Sequence, residues 1–198
     1  MATTKGGEKS AAAQELTLRD RYDRLYKGTD YNVKVNERQR AWLIVRLREI
    51  APVQRAIDFG CGVGAARDVL DLDPSAVKAS QFVDFSEECG RRHWDGDDRF
   101  VCGDVCDVQL DPADLAICHD VLEHIPEERV HLAIANIRAH CRGAASFTIA
   151  NHPDHRDGFD LHVTKRSFEW WQARILKRFN VIEVDFSEDL YLFWCAPR

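Results

Sequence analysis

The run Ala56-Ile57-Asp58-Phe59-Gly60-Cys61-Gly62-Val63-Gly64 constrains this chain more than any other stretch. An apolar strand ends near an acid and runs straight into three alternating glycines, and the charged, alanine-rich segment behind them reads as a helix from Ala65 to Leu70. Glycines at such a turn let the backbone bend tightly and approach a ligand closely, while the helix start offers free N–H groups. A strand, glycine loop and helix in that order belong to an α/β sheet that binds ligands at the carboxyl ends of its strands. A dinucleotide loop of the GxGxxG type follows the same logic. Here the third glycine comes one position early, and Ala65 stands where that pattern wants its last small residue. A tight turn with no ligand is the plainest alternative.

The rest of the chain has matching texture. From Val53 onward short apolar runs alternate with charged helical stretches, the pattern of βα units. Strands are expected at Arg55–Phe59, Gln81–Phe85, Phe100–Cys102, Asp114–His119, Ser146–Ala150, Val181–Phe186 and Tyr191–Cys195. Helices are expected at Leu16–Tyr26, Glu37–Ile50, Glu87–Trp94, Glu127–Cys141 and Lys165–Phe179, the last with Trp170, Trp171, Ile175 and Phe179 as its apolar face. Lys27–Asn32 reads as a turn. Ser187–Asp189 is too short for a crossover helix, so the last two strands must form an antiparallel hairpin. The expected fold is α/β and Rossmann-like: a seven-stranded, mostly parallel sheet with an antiparallel C-terminal hairpin and helices on both faces. Residues 1–15 read as a loose tail, 16–50 as a helical arm or lid, and 51–198 as the ligand-binding domain.

Composition narrows the function classes. With 198 residues the chain fits one domain, and a formal charge of −6 lacks the basic excess that extended duplex binding needs. No apolar run approaches the roughly 20 residues that span a bilayer, and the N-terminus has no apolar signal core, so a cytosolic location is expected. Seven cysteines, odd in number and never spaced as CxxC, read as reduced thiols.

Two further strand-end acids give the loop a ligand. Asp84 closes the second strand about twenty residues past the glycines, where a carboxylate accepts from two ribose hydroxyls. Asp104, in Gly103-Asp104-Val105, follows the third strand and is placed for an adenine amino group. Three acids around one glycine loop suit an adenosine that carries a sulfonium and no phosphate; a pyrophosphate would be repelled.

On these motifs, together with His119-Asp120-Val121-Leu122-Glu123-His124-Ile125-Pro126 after the fourth strand, residues 56–150 resemble the S-adenosylmethionine-binding core of class I methyltransferases, especially the small-molecule type. The resemblance implies that Gly60, Cys61, Gly62 and His119 lie near the methionine part of the donor, with Asp58 and Gly64 also among the donor-binding residues. It sets Asp84 and Phe85 at the ribose, and Asp104 and Val105 at the adenine.

The acceptor end is marked by histidines. Five of the eight fall in two strand-end segments, His119 to His124 and Asn151 to His162. His124, His152 and His155 are the candidates for a general base that takes a proton from an acceptor hydroxyl. Asp120, Glu123 and His124 stand at i, i+3 and i+4, so a helical turn would align all three, and a downstream histidine would complete an oxygen and nitrogen metal site. That arrangement resembles small-RNA 3′-end 2′-O-methyltransferases, with aspartate in place of a metal-binding glutamate. The shorter side chain retracts the carboxylate, and no metal is expected. Tyr22, Tyr26 and Tyr31 on the arm, with Asn151–Thr164, are expected to select a small polar acceptor such as a sugar, phenol or nucleotide. The competing readings are a metal-assisted RNA-end methyltransferase and a non-catalytic nucleotide-binding module.

Overall fold

The computed structural model describes residues 17–28, 36–156 and 158–198. The chain opens with two capped helices, α1 (Leu18–Lys27) and α2 (Glu37–Ile50). Thr17 and Asp20 form a reciprocal capping box on α1, and Asn36 and Gln39 form another on α2, so each start satisfies its own orphan N–H groups. Then come β1 (Ala56–Phe59), α3 (Arg67–Leu70), β2 (Ser80–Asp84), α4 (Glu87–His93), β3 (Phe100–Cys102), β4 (Ala113–His119), a 3₁₀ turn (Leu122–His124), α5 (Val130–Ala139) and β5 (Cys141–Ala150). A two-residue hairpin, β6 (His155–Arg156) and β7 (Phe159–Asp160), precedes α6 (Phe168–Ile175), β8 (Phe179–Phe186) and β9 (Leu190–Pro197).

The main sheet has seven strands in the order β3-β2-β1-β4-β5-β9-β8. The pairs from β3 across to β5 are parallel; β9 runs against both β5 and β8 and is the one reversed strand. The chain winds outward from β1 to β3 and then returns to start β4 on the other side of β1. The order therefore reverses between β1 and β4, the place where open α/β sheets bind ligands.

Period-two alternation puts a core on each face. Ile57, Phe59, Ala116 and Cys118 pack with Val130, Ile134 and Ile137 of α5 and with Trp171 and Ile175 of α6. Ala56, Leu115 and Ile117 point to the other face, against Leu43 and Leu47 of α2, Val69 and Leu70 of α3, and Trp94. Tyr22, Leu25 and Tyr26 of α1 belong to this second core, so the helical arm is packed into the domain that it covers.

The expected strands and helices are present, with shifted ends. β5 starts five residues before the expected Ser146, because Cys141 pairs with Ala113 across a register shift; the exposed Arg142 and Gly143 concealed this in the apolar pattern. α6 is shorter than the expected Lys165–Phe179, because Phe179 already belongs to β8. α5 is likewise shorter, Val130 to Ala139 instead of Glu127–Cys141. α3 starts at Arg67 and not Ala65, since the turn following the glycines takes up two more residues. The tail, the Lys27–Asn32 turn beyond Gly28, and Tyr31 lie outside the described residues.

Candidate active site

A cavity of about 720 Å³ opens over the carboxyl ends of β1, β2, β4 and β5 and beside the loop after β3. Helix α1 covers it with Tyr22 and Tyr26, and α2 with Gln39.

At one end the walls are set by backbone. The N–H groups of Gly60 and Cys61 both donate to the Val83 carbonyl, at 2.7 and 2.8 Å, which staples the turn to β2. Gly60 has φ +77°, and a Cβ there would meet a Val121 methyl at 2.3 Å. Gly62, at φ +50°, donates its N–H to Asp84 Oδ2 at 3.1 Å, while Asp84 Oδ1 accepts from the Ser86 N–H at 2.9 Å. Of the expected donor-side residues, Asp58, Gly60, Cys61, Gly62, Asp84, Phe85, Asp104, Val105 and His119 line the cavity. Gly64 does not: its missing side chain would point at Trp94 and Arg67, so it serves the turn.

The acids differ in their surroundings. Asp58 is 3% exposed, borders the cavity and accepts no hydrogen bond among the described residues; burial, with Asp84 nearby, raises its carboxyl to about 7. Burial raises Asp84 to about 6 against the pull of its two N–H donors. Asp104 lies lower. Despite burial, the Cys106 N–H at 2.8 Å and Arg129 at 3.0 Å hold its carboxyl below the usual range.

The other end is assembled from side chains of distant segments. His119 Nε2 faces the Ser146 hydroxyl at 2.8 Å, and burial lowers its imidazole to about 3. Asp120 has φ +54°, and its carboxylate receives the Gln39 amide at 2.6 and 2.7 Å and the Thr148 hydroxyl at 2.9 Å. The expected common face of Asp120, Glu123 and His124 is therefore not formed. The left-handed backbone at Asp120 turns it toward α2, and the following turn is a single turn of 3₁₀ helix.

Glu123 is completely buried; burial, then Asp120, push its carboxyl well up. His124 Nδ1 lies 3.0 Å from the Leu161 carbonyl and 2.6 Å from the Tyr22 hydroxyl, and burial, then His162, lower its imidazole to about 3. His152 is exposed at the cavity rim, with Nδ1 3.1 Å from the Pro153 carbonyl. His155 sits on exposed β6 and does not line the cavity, because the small hairpin carries it outward; it is not gathered with the other two. His162, 4% exposed, lines the cavity in its stead.

Sequence reasoning missed Gln39 and Arg129. Gln39 is legible only as a helix-capping residue, and its reach over 81 positions to Asp120 has no local signal. Arg129 looks like one of many surface arginines until the fold brings it to Asp104.

A family profile described as Methyltransferase domain matches residues 28–184. A demethylmenaquinone methyltransferase of Clavibacter sepedonicus is 33% identical over 111 residues, which cover 54% of this chain and 42% of that protein. The match thus spans less than half of the curated relative. Among solved structures, the N-methyltransferase NodS of Bradyrhizobium japonicum WM9, in complex with S-adenosylhomocysteine, superposes with a TM-score of 0.68 at 18% identity, covering 91% of this chain and 98% of its own. The magnesium protoporphyrin IX methyltransferase of Synechocystis, with bound S-adenosylmethionine, gives 0.68 at 15% identity, over 96% and 100%. At such identities these structures speak for the fold.

Proposed function

Because the chain belongs to the methyltransferase-domain family, we propose that it transfers a methyl group from S-adenosylmethionine to an oxygen or nitrogen of a small polar acceptor: a sugar, a phenol or a nucleotide. The observation that carries this reading is Asp58. A buried carboxyl that borders the cavity and accepts no hydrogen bond among the described residues favours a cationic partner, and the donor brings an ammonium and a sulfonium.

In this reading Asp58, Gly60, Cys61, Gly62 and His119 hold the methionine part, Asp84 and Phe85 the ribose, and Asp104 and Val105 the adenine. Gly64 shapes the loop from outside. The donor, when bound, supplies an activated methyl group, and the protein's share is mainly position. Asp84 is fixed by two backbone N–H groups, so it meets the ribose without first having to reorient.

His152 is the group for the acceptor's proton. The Pro153 carbonyl can only accept, so His152 Nδ1 carries the hydrogen and Nε2 keeps its lone pair at the cavity rim. Helices α1 and α2 act as the lid, with Tyr22, Tyr26 and Gln39 facing the cavity. Among the described residues no helix is long and apolar enough to cross a membrane, and the seven free thiols suit the reducing cytosol.

The test is methyl transfer from radiolabelled S-adenosylmethionine to a panel of sugars, phenols, nucleotides and RNA 3′ ends. Label in a small hydroxyl or amine compound is the expected result. Label confined to RNA would overturn the acceptor class, and no S-adenosylhomocysteine with any acceptor would overturn the activity.

A further inference from the structure

Beneath the acceptor end lies a group of three side chains of the kinds that ligate metals. Glu123, His124 and His162 each bring one ligand atom within 4.8 Å of the other two. Their placement follows from the fold. The Glu123 carbonyl accepts the Thr164 N–H at 2.9 Å, and the Thr164 hydroxyl donates to the Ile125 carbonyl at 2.7 Å. These bonds strap the segment after β7 onto the 3₁₀ turn and bring the His124 and His162 rings to 4.6 Å, edge to face.

The hydrogen bonds then decide which atoms carry lone pairs. His124 Nδ1 faces the Leu161 carbonyl at 3.0 Å, and His162 Nδ1 faces the His152 carbonyl. A carbonyl only accepts, so the tautomer that satisfies both carbonyl contacts carries the hydrogen on each Nδ1, with the Tyr22 oxygen at 2.6 Å from His124 Nδ1 as a second acceptor. Both Nε2 atoms are left with lone pairs. A histidine that donates Nδ1–H to a backbone carbonyl is fixed for coordination through Nε2. Glu123 Oε1 accepts the Ala150 N–H at 2.6 Å, but Oε2 is buried and, among the described residues, has no hydrogen-bond partner. Burying a carboxylate oxygen that has no partner is costly unless a cation or a proton neutralises it.

We propose that Glu123, His124 and His162 bind one divalent first-row transition ion, of which zinc is the type. Two imidazole nitrogens and one carboxylate oxygen suit such ions; magnesium and calcium prefer oxygen ligands throughout. Ligand atoms around tetrahedral zinc lie about 3.4 Å apart at bonds near 2.1 Å, so the set closes by a modest side-chain movement. Asp120 stands outside it, held by Gln39 and Thr148. His124 and His162 also line the cavity, so a position left open by the protein faces the acceptor. If methyl transfer is as proposed above, that position receives the acceptor's oxygen; the binding site itself does not rest on that reading.

The experiment titrates zinc chloride into the chelator-stripped full chain by calorimetry, with magnesium chloride in parallel, and repeats it with Glu123→Gln and His162→Ala. One equivalent of zinc should bind, magnesium should not compete, and each variant should lose at least 100-fold in affinity. Should a variant fail to fold, cobalt(II) in the unaltered chain gives a second readout, visible d–d bands with nitrogen ligation. Absence of stoichiometric zinc and of the cobalt bands would overturn the proposal, as would full affinity in both variants. An infrared band of a protonated, buried carboxylic acid that is lost in Glu123→Gln and unmoved by zinc would do the same, since a proton would then fill the place of the ion. S-Adenosylhomocysteine binding measured in chelator keeps the two questions apart: its loss would count against the donor reading and leave the ion site standing.

Discussion

The two ends of the cavity are built by different means. Around β1 to β3 the key groups are fixed by backbone: Gly60 and Cys61 are stapled to Val83, and Asp84 is held by the N–H groups of Gly62 and Ser86. Around β4 and β5 the groups hold one another, Gln39 on Asp120, Tyr22 on His124, and His162 on the His152 carbonyl. A backbone-built end serves a ligand that does not vary. A side-chain-built end can be altered residue by residue without disturbing the sheet.

The largest change in stability is expected at the backbone-built end. Gly60→Val places branched carbons at a left-handed φ and within 2.3 Å of Val121, so both strain and overpacking apply. A stability loss of about 3 kcal/mol or more is expected, read as a fall of roughly 6–12 °C in Tm. His152→Ala, on the exposed rim of the other end, should leave stability within about 0.5 kcal/mol and cut turnover by about 100-fold. Equal thermal effects of the two variants would erase the distinction.

A second effect sharpens it through pH. Asp58 and Asp84 have folded-state pKa values of about 7 and about 6, raised above the ordinary carboxylate range chiefly by burial. The folded state thus binds more protons than the unfolded one between about pH 4 and pH 7. The ligand-free protein should lose stability as pH rises through that window and then level off. Asp58→Asn should gain on the parent by about 4 kcal/mol between pH 4 and pH 8. Denaturant titrations at the two pH values measure this, and an equal difference at both would contradict the assignment.

The smallest effect concerns the mouth of the donor end. Arg129 pairs with Asp104 at 3.0 Å, but the side chains are 43% and 28% exposed. Solvent screens such a pair, and Arg129→Ala should change stability by less than about 1 kcal/mol. A larger loss would mean that side-chain pairing also supports the donor end.

The same division explains what could be read in advance. The glycine loop, Asp84 and the C-terminal hairpin are local or periodic signals, carried by residues close together in sequence, and each has its counterpart in the structure. A helical period does not hold at Asp120, where the backbone takes a φ of +54°. His155 lies on exposed β6, away from the cavity; histidine density says nothing about which side of a two-residue hairpin faces inward. Gln39 and Arg129 reach their partners across 81 and 25 positions, distances at which pattern reading has no purchase.

The donor claim is tested most directly by calorimetry with S-adenosylhomocysteine on the unaltered chain and on Asp84→Ala, with NAD as the competing ligand. One equivalent of S-adenosylhomocysteine should bind, weakened by about 1–3 kcal/mol in the variant because the ribose hydroxyls lose their acceptor. Tight binding of NAD with none of S-adenosylhomocysteine would contradict it.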